Sequence, residues 1–79
     1  MGFHMKMVFC QKYKKEMEGL DRAPYPGEFG QKIYDNISKQ AWTDWMEYQT
    51  KLINELKLKV FEKSAQDTIR KHAEEFFGF

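Results

Sequence analysis

The strongest constraint on the fold of this chain is a long amphipathic pattern that begins at Ser38. From there onward, apolar side chains recur three or four residues apart, which is the spacing of one helix face. Ser38 is a residue type that caps helix N-termini, and Ile37 and Trp42 occupy the two positions of a hydrophobic staple. We therefore predict a long helix whose apolar stripe forms the main core. The stripe contains Trp42, Trp45, Met46, Leu52 and Ile53.

The sequence leaves open where this helix ends, between Leu56 and Ser64. Residues 56–60 alternate apolar and basic side chains, as a strand does, whereas Ile53, Leu56 and Val60 also fit a helix face. No glycine or proline lies in this stretch to decide between the two patterns. Both interpretations therefore stand.

Breakers and caps predict a shorter helix on either side of the long one. The first covers about residues 28–36, and Gly30 inside it costs about 1 kcal/mol relative to alanine, which close backbone packing would explain. The third begins at Ser64, because residues 64–67 match a capping box, and Gly78 provides its end. One face of this last helix carries Ala65, Ile69, Ala73 and Phe76.

The N-terminal part of the chain favours a short hairpin. Residues 7–10 are apolar and strand-like, and residues 16–18 alternate polar and apolar side chains. An isolated hairpin is only marginally stable, so this one must pack on helices. The predicted fold class is α+β and mostly α, with a short N-terminal β-hairpin packed on three helices.

Length, charge and cysteine content bound the class of protein. Seventy-nine residues make one small domain, and we interpret residues 1–4 as an expression scar and residues 5–79 as the domain. A net charge of +1 argues against nucleic-acid binding, and no run approaches the roughly 20 apolar residues of a membrane span. Cys10 is the only cysteine, so no internal disulfide forms, and we expect a monomer in a reducing cytoplasm.

Several short strings occur in the order and spacing of one known family. They are VFC at residues 8–10, YPGE at 25–28, IYDNIS at 33–38, AW followed by W at 41–45, and LINE at 52–55. In this combination the chain resembles the bacterial iron(II)-trafficking, oxidative-damage-protection proteins of the YggX type. The resemblance implies a cytoplasmic protein that carries iron(II), supports iron–sulfur cluster synthesis or repair, and limits oxidative damage. Iron–sulfur cluster assembly proteins are the partners that it implies.

Cys10 is the candidate functional thiol. It follows Val8 and Phe9 in a strand-like segment, and three lysines at positions 12, 14 and 15 are close enough in sequence to lower its pKa. In one interpretation Cys10 is a redox-sensitive thiolate or a soft metal ligand. In the other it is a small hydrophobic residue of a half-buried strand. The family resemblance adds weight to the first interpretation, and both remain open.

Carboxylates on the long helix are the candidate iron ligands. Asp44 and Glu47 are three residues apart, and Glu55 closes the LINE string. Carboxylate oxygens are hard ligands, and we expect any iron(II) to be weakly held and labile on them, as a carrier requires. The competing interpretation is a solvated helix face on which Glu55 pairs with lysines one turn away.

Other side chains give weaker signals. His72 and Glu75 could share a metal from one helix face, but one histidine and one carboxylate are too few for a selective site. Paired catalytic carboxylates, a Ser-His-Asp set, zinc-type CxxC spacing and a phosphate-binding glycine loop are all lacking in the sequence. We therefore do not expect an enzyme. The alternatives to iron trafficking are an interaction module that binds no metal and a thiol-redox protein acting through Cys10.

Overall fold

The computed structural model describes residues 6–79 and places a two-stranded antiparallel hairpin before three helices. The elements are β1 (Met7–Cys10), β2 (Lys15–Glu18), α1 (Gly27–Asn36), α2 (Lys39–Leu56) and α3 (Lys63–Phe77). The predicted α+β fold, with a hairpin packed on three helices, is confirmed. The segment interpreted as an expression scar lies outside the described residues.

The hairpin directs one row of side chains into the protein. Val8 pairs with Met17 and Cys10 pairs with Lys15 across the two strands. Since successive strand residues point to opposite faces, Val8 and Cys10 are buried while Phe9 between them is exposed. The turn over residues 11–14 has no glycine, and its last residue, Lys14, takes the left-handed conformation at φ 58°.

Helix α1 packs closely at Gly30 against the backbone that precedes the helix. A Cβ atom on Gly30 would lie 1.8 Å from the carbonyl oxygen of Tyr25, which is far inside van der Waals contact. The predicted reason for a glycine within this helix, close backbone packing, is confirmed. Glu28 lies in the first turn of α1, where the helix dipole favours a carboxylate.

Helix α2 begins as predicted, and the structure decides where it ends. The Ser38 hydroxyl accepts a hydrogen bond of 3.0 Å from the backbone N–H of Ala41, which is N-capping geometry. The helix ends at Leu56 because Lys57 turns into the left-handed conformation at φ 51°. Residues 57–62 form an irregular connector instead of a strand.

The buried stripe of α2 is narrower than predicted. Trp45 and Leu52 are buried, together with Ala41 on the same face, but Met46 is 41% exposed. The assignment of Met46 to the core is therefore wrong. Each residue advances about 100° around a helix, so Met46 lies beside the buried Trp45 at the edge of the stripe.

Helix α3 starts before the predicted capping box. Its N-cap is Glu62 instead of Ser64, and the Glu62 side chain makes no capping hydrogen bond. The capping-box prediction is wrong because the backbone N–H of Gln66 already bonds to the Glu62 carbonyl, at 3.1 Å. The predicted end is confirmed: Gly78 is left-handed, and the N–H groups of Gly78 and Phe79 both bond to the carbonyl of Glu74.

Aromatic rings from α2 and α3 form the centre of the core. Trp45 and Phe77 are both fully buried, with ring centroids 5.9 Å apart. Phe76 lies 5.5 Å from Trp45 on one side, and Trp42 stacks on Phe77 at 6.4 Å on the other. Tyr25 meets Trp42 edge-on at 5.7 Å, which ties the segment before α1 to the same cluster.

Candidate functional site

The Cys10 thiol lies in a closed, mostly apolar site at the end of β1. Its side chain is fully buried, and Ile33, Ile37 and Leu20 belong to the same buried cluster. This placement agrees with the interpretation of Cys10 as a small buried residue, although the strand end is fully buried rather than half-buried. The pKa of this thiol, however, departs from its ordinary value.

Ser38 and the hairpin turn lower the pKa of the Cys10 thiol. Burial by itself raises the pKa of the thiol, but hydrogen bonds from the hydroxyl and the N–H of Ser38, and from the N–H groups of Tyr13 and Lys12, outweigh it. The pKa of Cys10 therefore lies below its ordinary value. The lowering comes from these hydrogen bonds rather than from the lysine charges that the sequence suggested.

Ser38 connects the thiol to two structural elements. Its hydroxyl oxygen caps α2, its backbone forms an isolated bridge with Gly19 after β2, and its hydroxyl hydrogen is then available to Cys10. Ser38 is the only fully buried polar side chain of the described residues. A single side chain thus fixes the start of the long helix and stabilises negative charge on the sulfur.

The hairpin turn over Cys10 is tied to the ends of α1 and α3. The backbone N–H of Gln11 donates to the carbonyl of Asn36 at 2.9 Å, and its side-chain amide donates to the carbonyl of Gly78. The Lys12 ammonium group donates to the carbonyl of Phe76 at 3.1 Å and lies 3.6 Å from the centre of the Phe76 ring. A positive side chain at the last turn of α3 also suits the helix dipole.

Tyr13 ties the same turn to α2 through Asp44. The Tyr13 hydroxyl donates to one carboxylate oxygen of Asp44, and the Gln40 amide donates to the other at 3.0 Å. The hydrogen bond to Asp44, with smaller contributions from burial and from the charges of Asp44 and Cys10, raises the pKa of Tyr13 to about 12. Asp44 is therefore already engaged on both oxygens, and binding a metal there would displace these donors.

The three candidate carboxylates are spread along α2. Glu47 and Glu55 have exposed side chains. At 1.5 Å per residue, Glu55 lies about 12 Å from Glu47 and about 16 Å from Asp44 along the helix axis. Glu55 therefore cannot share one ion with either of them in this conformation. Within residues 6–79, no group of three or more histidine, cysteine or acidic side chains is placed to hold a metal.

His72 and Glu75 line a shallow depression on α3. Tyr48 and Phe76 form its other walls. His72 is half-buried and Glu75 is exposed. The two side chains share one rim, as their spacing predicts.

Sequence reasoning missed two residues of the thiol site. Ser38 was identified as a helix cap but not as a donor to Cys10, and Tyr13 was not singled out. The tertiary fold brings Ser38 to Cys10, and the geometry of the hairpin turn brings Tyr13 there. No local sequence pattern therefore points to either residue. A capping serine immediately after a buried isoleucine shows only that the hydroxyl lies close to the core.

The chain is similar to known proteins over nearly its whole length. A sequence model described as bacterial Fe(2+) trafficking matches residues 4–78. A "Probable Fe(2+)-trafficking protein" of Acinetobacter baylyi is 54% identical over 73 residues, which are 92% of this chain and 81% of the relative. Proteins with the same description from Halorhodospira halophila and Cellvibrio japonicus are 50% and 48% identical, over 91% and 92% of this chain and 80% of each relative.

This match places the chain in a family. The family model covers nearly the whole sequence, and the relatives share about half of their residues with it. The chain belongs to the bacterial Fe(2+)-trafficking family. None of the helices described for residues 6–79 has the length and apolar content required to cross a membrane.

Proposed function

We propose that this protein carries iron(II) and delivers it for iron–sulfur cluster synthesis or repair, thereby limiting oxidative damage. The observation that carries the proposal is the family match over residues 4–78. It is supported by relatives described as probable Fe(2+)-trafficking proteins at about half identity. Iron(II) is the cargo of such a protein, and we place its action in the bacterial cytoplasm, where iron is kept reduced.

The exposed carboxylates of α2 are the proposed points of contact with the ion. Glu47 and Glu55 face solvent, so they can bind iron(II) without breaking a contact of the fold. Asp44, which stands one turn before Glu47, would have to give up Tyr13 or Gln40. Carboxylates that also keep water as a neighbour bind iron(II) weakly and exchange it quickly. Weak, labile binding suits a protein that must hand its cargo to an assembly partner.

Anaerobic titration with iron(II) tests this proposal. Paramagnetic iron(II) should broaden backbone NMR signals around Glu55 or around the Asp44–Glu47 turn, whereas magnesium at the same concentration should not. Glu55→Gln and Glu47→Gln should each be compared with Glu28→Gln, which removes a carboxylate from the first turn of α1. Equal broadening in all variants would show that iron(II) binds elsewhere than at Glu47 or Glu55, and no broadening in the wild type would favour an interaction module that binds no iron.

The hydrogen bonds around Cys10 favour a second candidate function, a thiol that reacts with oxidants. A thiolate is the reactive form of cysteine, and the donors from Ser38, Tyr13 and Lys12 stabilise it. Because Cys10 is fully buried, an oxidant reaches the sulfur only when the structure around it opens locally. Thiol chemistry at Cys10 and iron(II) binding on α2 therefore involve different regions of the protein, and the two can be tested separately.

Substitution distinguishes the two functions. Cys10→Ser should leave iron(II) broadening on α2 largely intact while reducing protection against oxidants. Ser38→Ala should raise the pKa of Cys10, measured from the ultraviolet absorbance of the thiolate, because it removes a hydroxyl donor. Thr43→Ala, which removes an exposed hydroxyl from the same helix, is the matched control. Loss of iron binding in Cys10→Ser would show instead that the thiolate is a ligand.

A further inference from the structure

Only two of the three candidate carboxylates can share one ion. Asp44 and Glu47 are three residues apart on α2, which places them one turn apart on the same side of the helix. Glu55 is about 12 Å further along the axis than Glu47, at 1.5 Å per residue. A second ligand that is already in place strengthens the binding of an ion to the first. The stronger, two-carboxylate form of the proposed iron site therefore requires Asp44.

Asp44 is held by donors from two different elements. The amide of Gln40, one turn earlier on α2, donates to its Oδ1 atom at 3.0 Å. The Tyr13 hydroxyl donates to its Oδ2 atom from the hairpin turn, 31 residues earlier in the chain. An ion that binds to Oδ2 takes the place of the Tyr13 hydroxyl, whereas the bond to Gln40 stays within the helix. Tyr13 is thus the tertiary contact that an ion at this atom displaces.

Few other contacts hold the Tyr13 ring in place. The residue is 37% exposed, and within residues 6–79 its ring belongs to none of the ring–ring pairs of the aromatic core. The Lys12 ammonium group lies 5.8 Å from the centre of the ring, near the limit for a cation–π contact. The ring can therefore leave Asp44 without opening a cavity in the core.

The rest of the hairpin turn is anchored without Asp44. The backbone N–H of Gln11 and the ammonium group of Lys12 donate to carbonyl groups at the ends of α1 and α3, at 2.9 and 3.1 Å. Lys14, which follows Tyr13, has the left-handed conformation at φ 58°, which is unfavourable for a residue with a side chain. Release of Tyr13 therefore loosens residues 13–14 and leaves the first half of the turn in place.

We infer that Tyr13 is an internal competitor of iron(II) at Asp44. It closes the two-carboxylate site of the iron-free protein, leaves Asp44 when the ion binds, and displaces the ion when it returns. This inference rests on the proposed function, because it takes Asp44 and Glu47 as the points of contact with iron(II). One hydrogen bond to a charged group at an exposed position sets the strength of the competition at about three- to tenfold in affinity. The competitor keeps the ion labile, as delivery requires.

Tyr13→Phe tests the inference because it removes only the hydroxyl group. The probe is iron(II) alone, titrated anaerobically into the full chain, with broadening of the amide NMR signals of Asp44 and Glu47 as the measure of binding. The variant should bind the ion about three- to tenfold more tightly than the wild type, since the competing hydrogen bond is gone. Tyr48→Phe, which removes the hydroxyl of an exposed tyrosine one turn after Asp44 on α2, is the matched control and should leave the affinity unchanged.

Hydrogen exchange measures the reverse effect on the wild-type protein. Because coupling is reciprocal, iron(II) should weaken the Tyr13 contact by the same factor by which Tyr13 weakens iron binding. The amide of Lys14, which donates to the Cys10 carbonyl at 2.7 Å, should therefore exchange faster when iron(II) is added. The amide of Gln11, which donates to the Asn36 carbonyl, should not change. Mass spectrometry with fragmentation to single residues separates the two amides.

Binding and exchange together decide between competition and its alternatives. Tighter binding in Tyr13→Phe, with Tyr48→Phe unchanged and faster exchange at Lys14, supports the inference. Equal or weaker binding in Tyr13→Phe, while iron(II) still broadens Asp44 and Glu47, overturns the competitor and leaves the proposed function intact. Broadening at neither carboxylate in wild type and variant overturns both the competitor and the proposed iron site. If circular dichroism shows that a variant is misfolded, unchanged exchange at Lys14 in the wild type refutes the inference without it.

Discussion

Replacing Trp45 by alanine should remove the largest single contribution to the core. The side chain is fully buried, and the rings of Phe76, Phe77 and Tyr48 all lie within 5.9 Å of it. A buried tryptophan removes about 150–250 Å² from water, which at about 25 cal/mol per Å² is about 4–6 kcal/mol. Alanine retains a small part of this, and measured substitutions of this kind cost about 3–5 kcal/mol.

The indole N–H of Trp45 moves the expected loss of stability toward the lower end of this range. This buried N–H meets the Tyr25 hydroxyl only in poor geometry, so removing it relieves part of a desolvation penalty. We therefore expect a loss of about 3–4 kcal/mol, which is a large part of the stability of so small a domain.

Urea denaturation followed by circular dichroism measures this loss. Met46→Ala on the same helix is the matched control, and because Met46 is partly exposed its loss should be less than half that of Trp45→Ala. Trp45→Phe, which keeps a ring and removes the poorly paired N–H, should cost less than Trp45→Ala. A change below about 1 kcal/mol in Trp45→Ala would refute the argument and would mean that the aromatic cluster is not the centre of the core.

Three further predictions follow from the same contacts. Gly30→Ala should destabilise the fold in urea although alanine favours helices, because its Cβ would meet the Tyr25 carbonyl at 1.8 Å; a stabilised variant would contradict this packing. EDTA should leave the far-UV circular dichroism spectrum unchanged, since the aromatic core and not a metal cage holds the helices together; collapse of the spectrum would refute that view. The pKa of Cys10 is lowered on folding, so the free energy of unfolding should rise with pH between that pKa and the ordinary value of 9.0, and Cys10→Ser should lack this rise.

The helices and their contacts were predictable where local pattern and tertiary packing agree. The Ser38 cap, the glycine end of α3 and the close approach at Gly30 all follow from the chemistry of single residues, and the structure confirms them. The start of α3 was wrong because a local capping box at Ser64 competes with helical hydrogen bonds that begin one turn earlier, at Glu62. Local patterns describe possible caps, and packing selects among them.

The thiol site could be predicted only in part. Cys10 stands out as the single cysteine, and its place in a buried strand follows from the apolar residues before it. The hydroxyl of Ser38 reaches the sulfur only because α2 starts beside the hairpin, and this depends on the whole fold. The assignment of Asp44, Glu47 and Glu55 as iron ligands stays a prediction, because α2 spreads the three carboxylates along its axis instead of gathering them at one point.

The contacts of the hairpin turn have a consequence for synthesis on the ribosome. Gln11 and Lys12 are made well before their partners Gly78 and Phe76, which lie at the end of α3, 67 and 64 residues further along the chain. Until that helix leaves the exit tunnel, the turn lacks these two contacts and keeps only those within the hairpin and its bonds to Asn36 and Asp44. The nascent chain therefore passes through a period in which the sulfur of Cys10 is less protected than in the finished protein. The cover over Cys10 closes only after α3 has been made and has docked against the hairpin turn, and the thiol acquires its folded environment at that point.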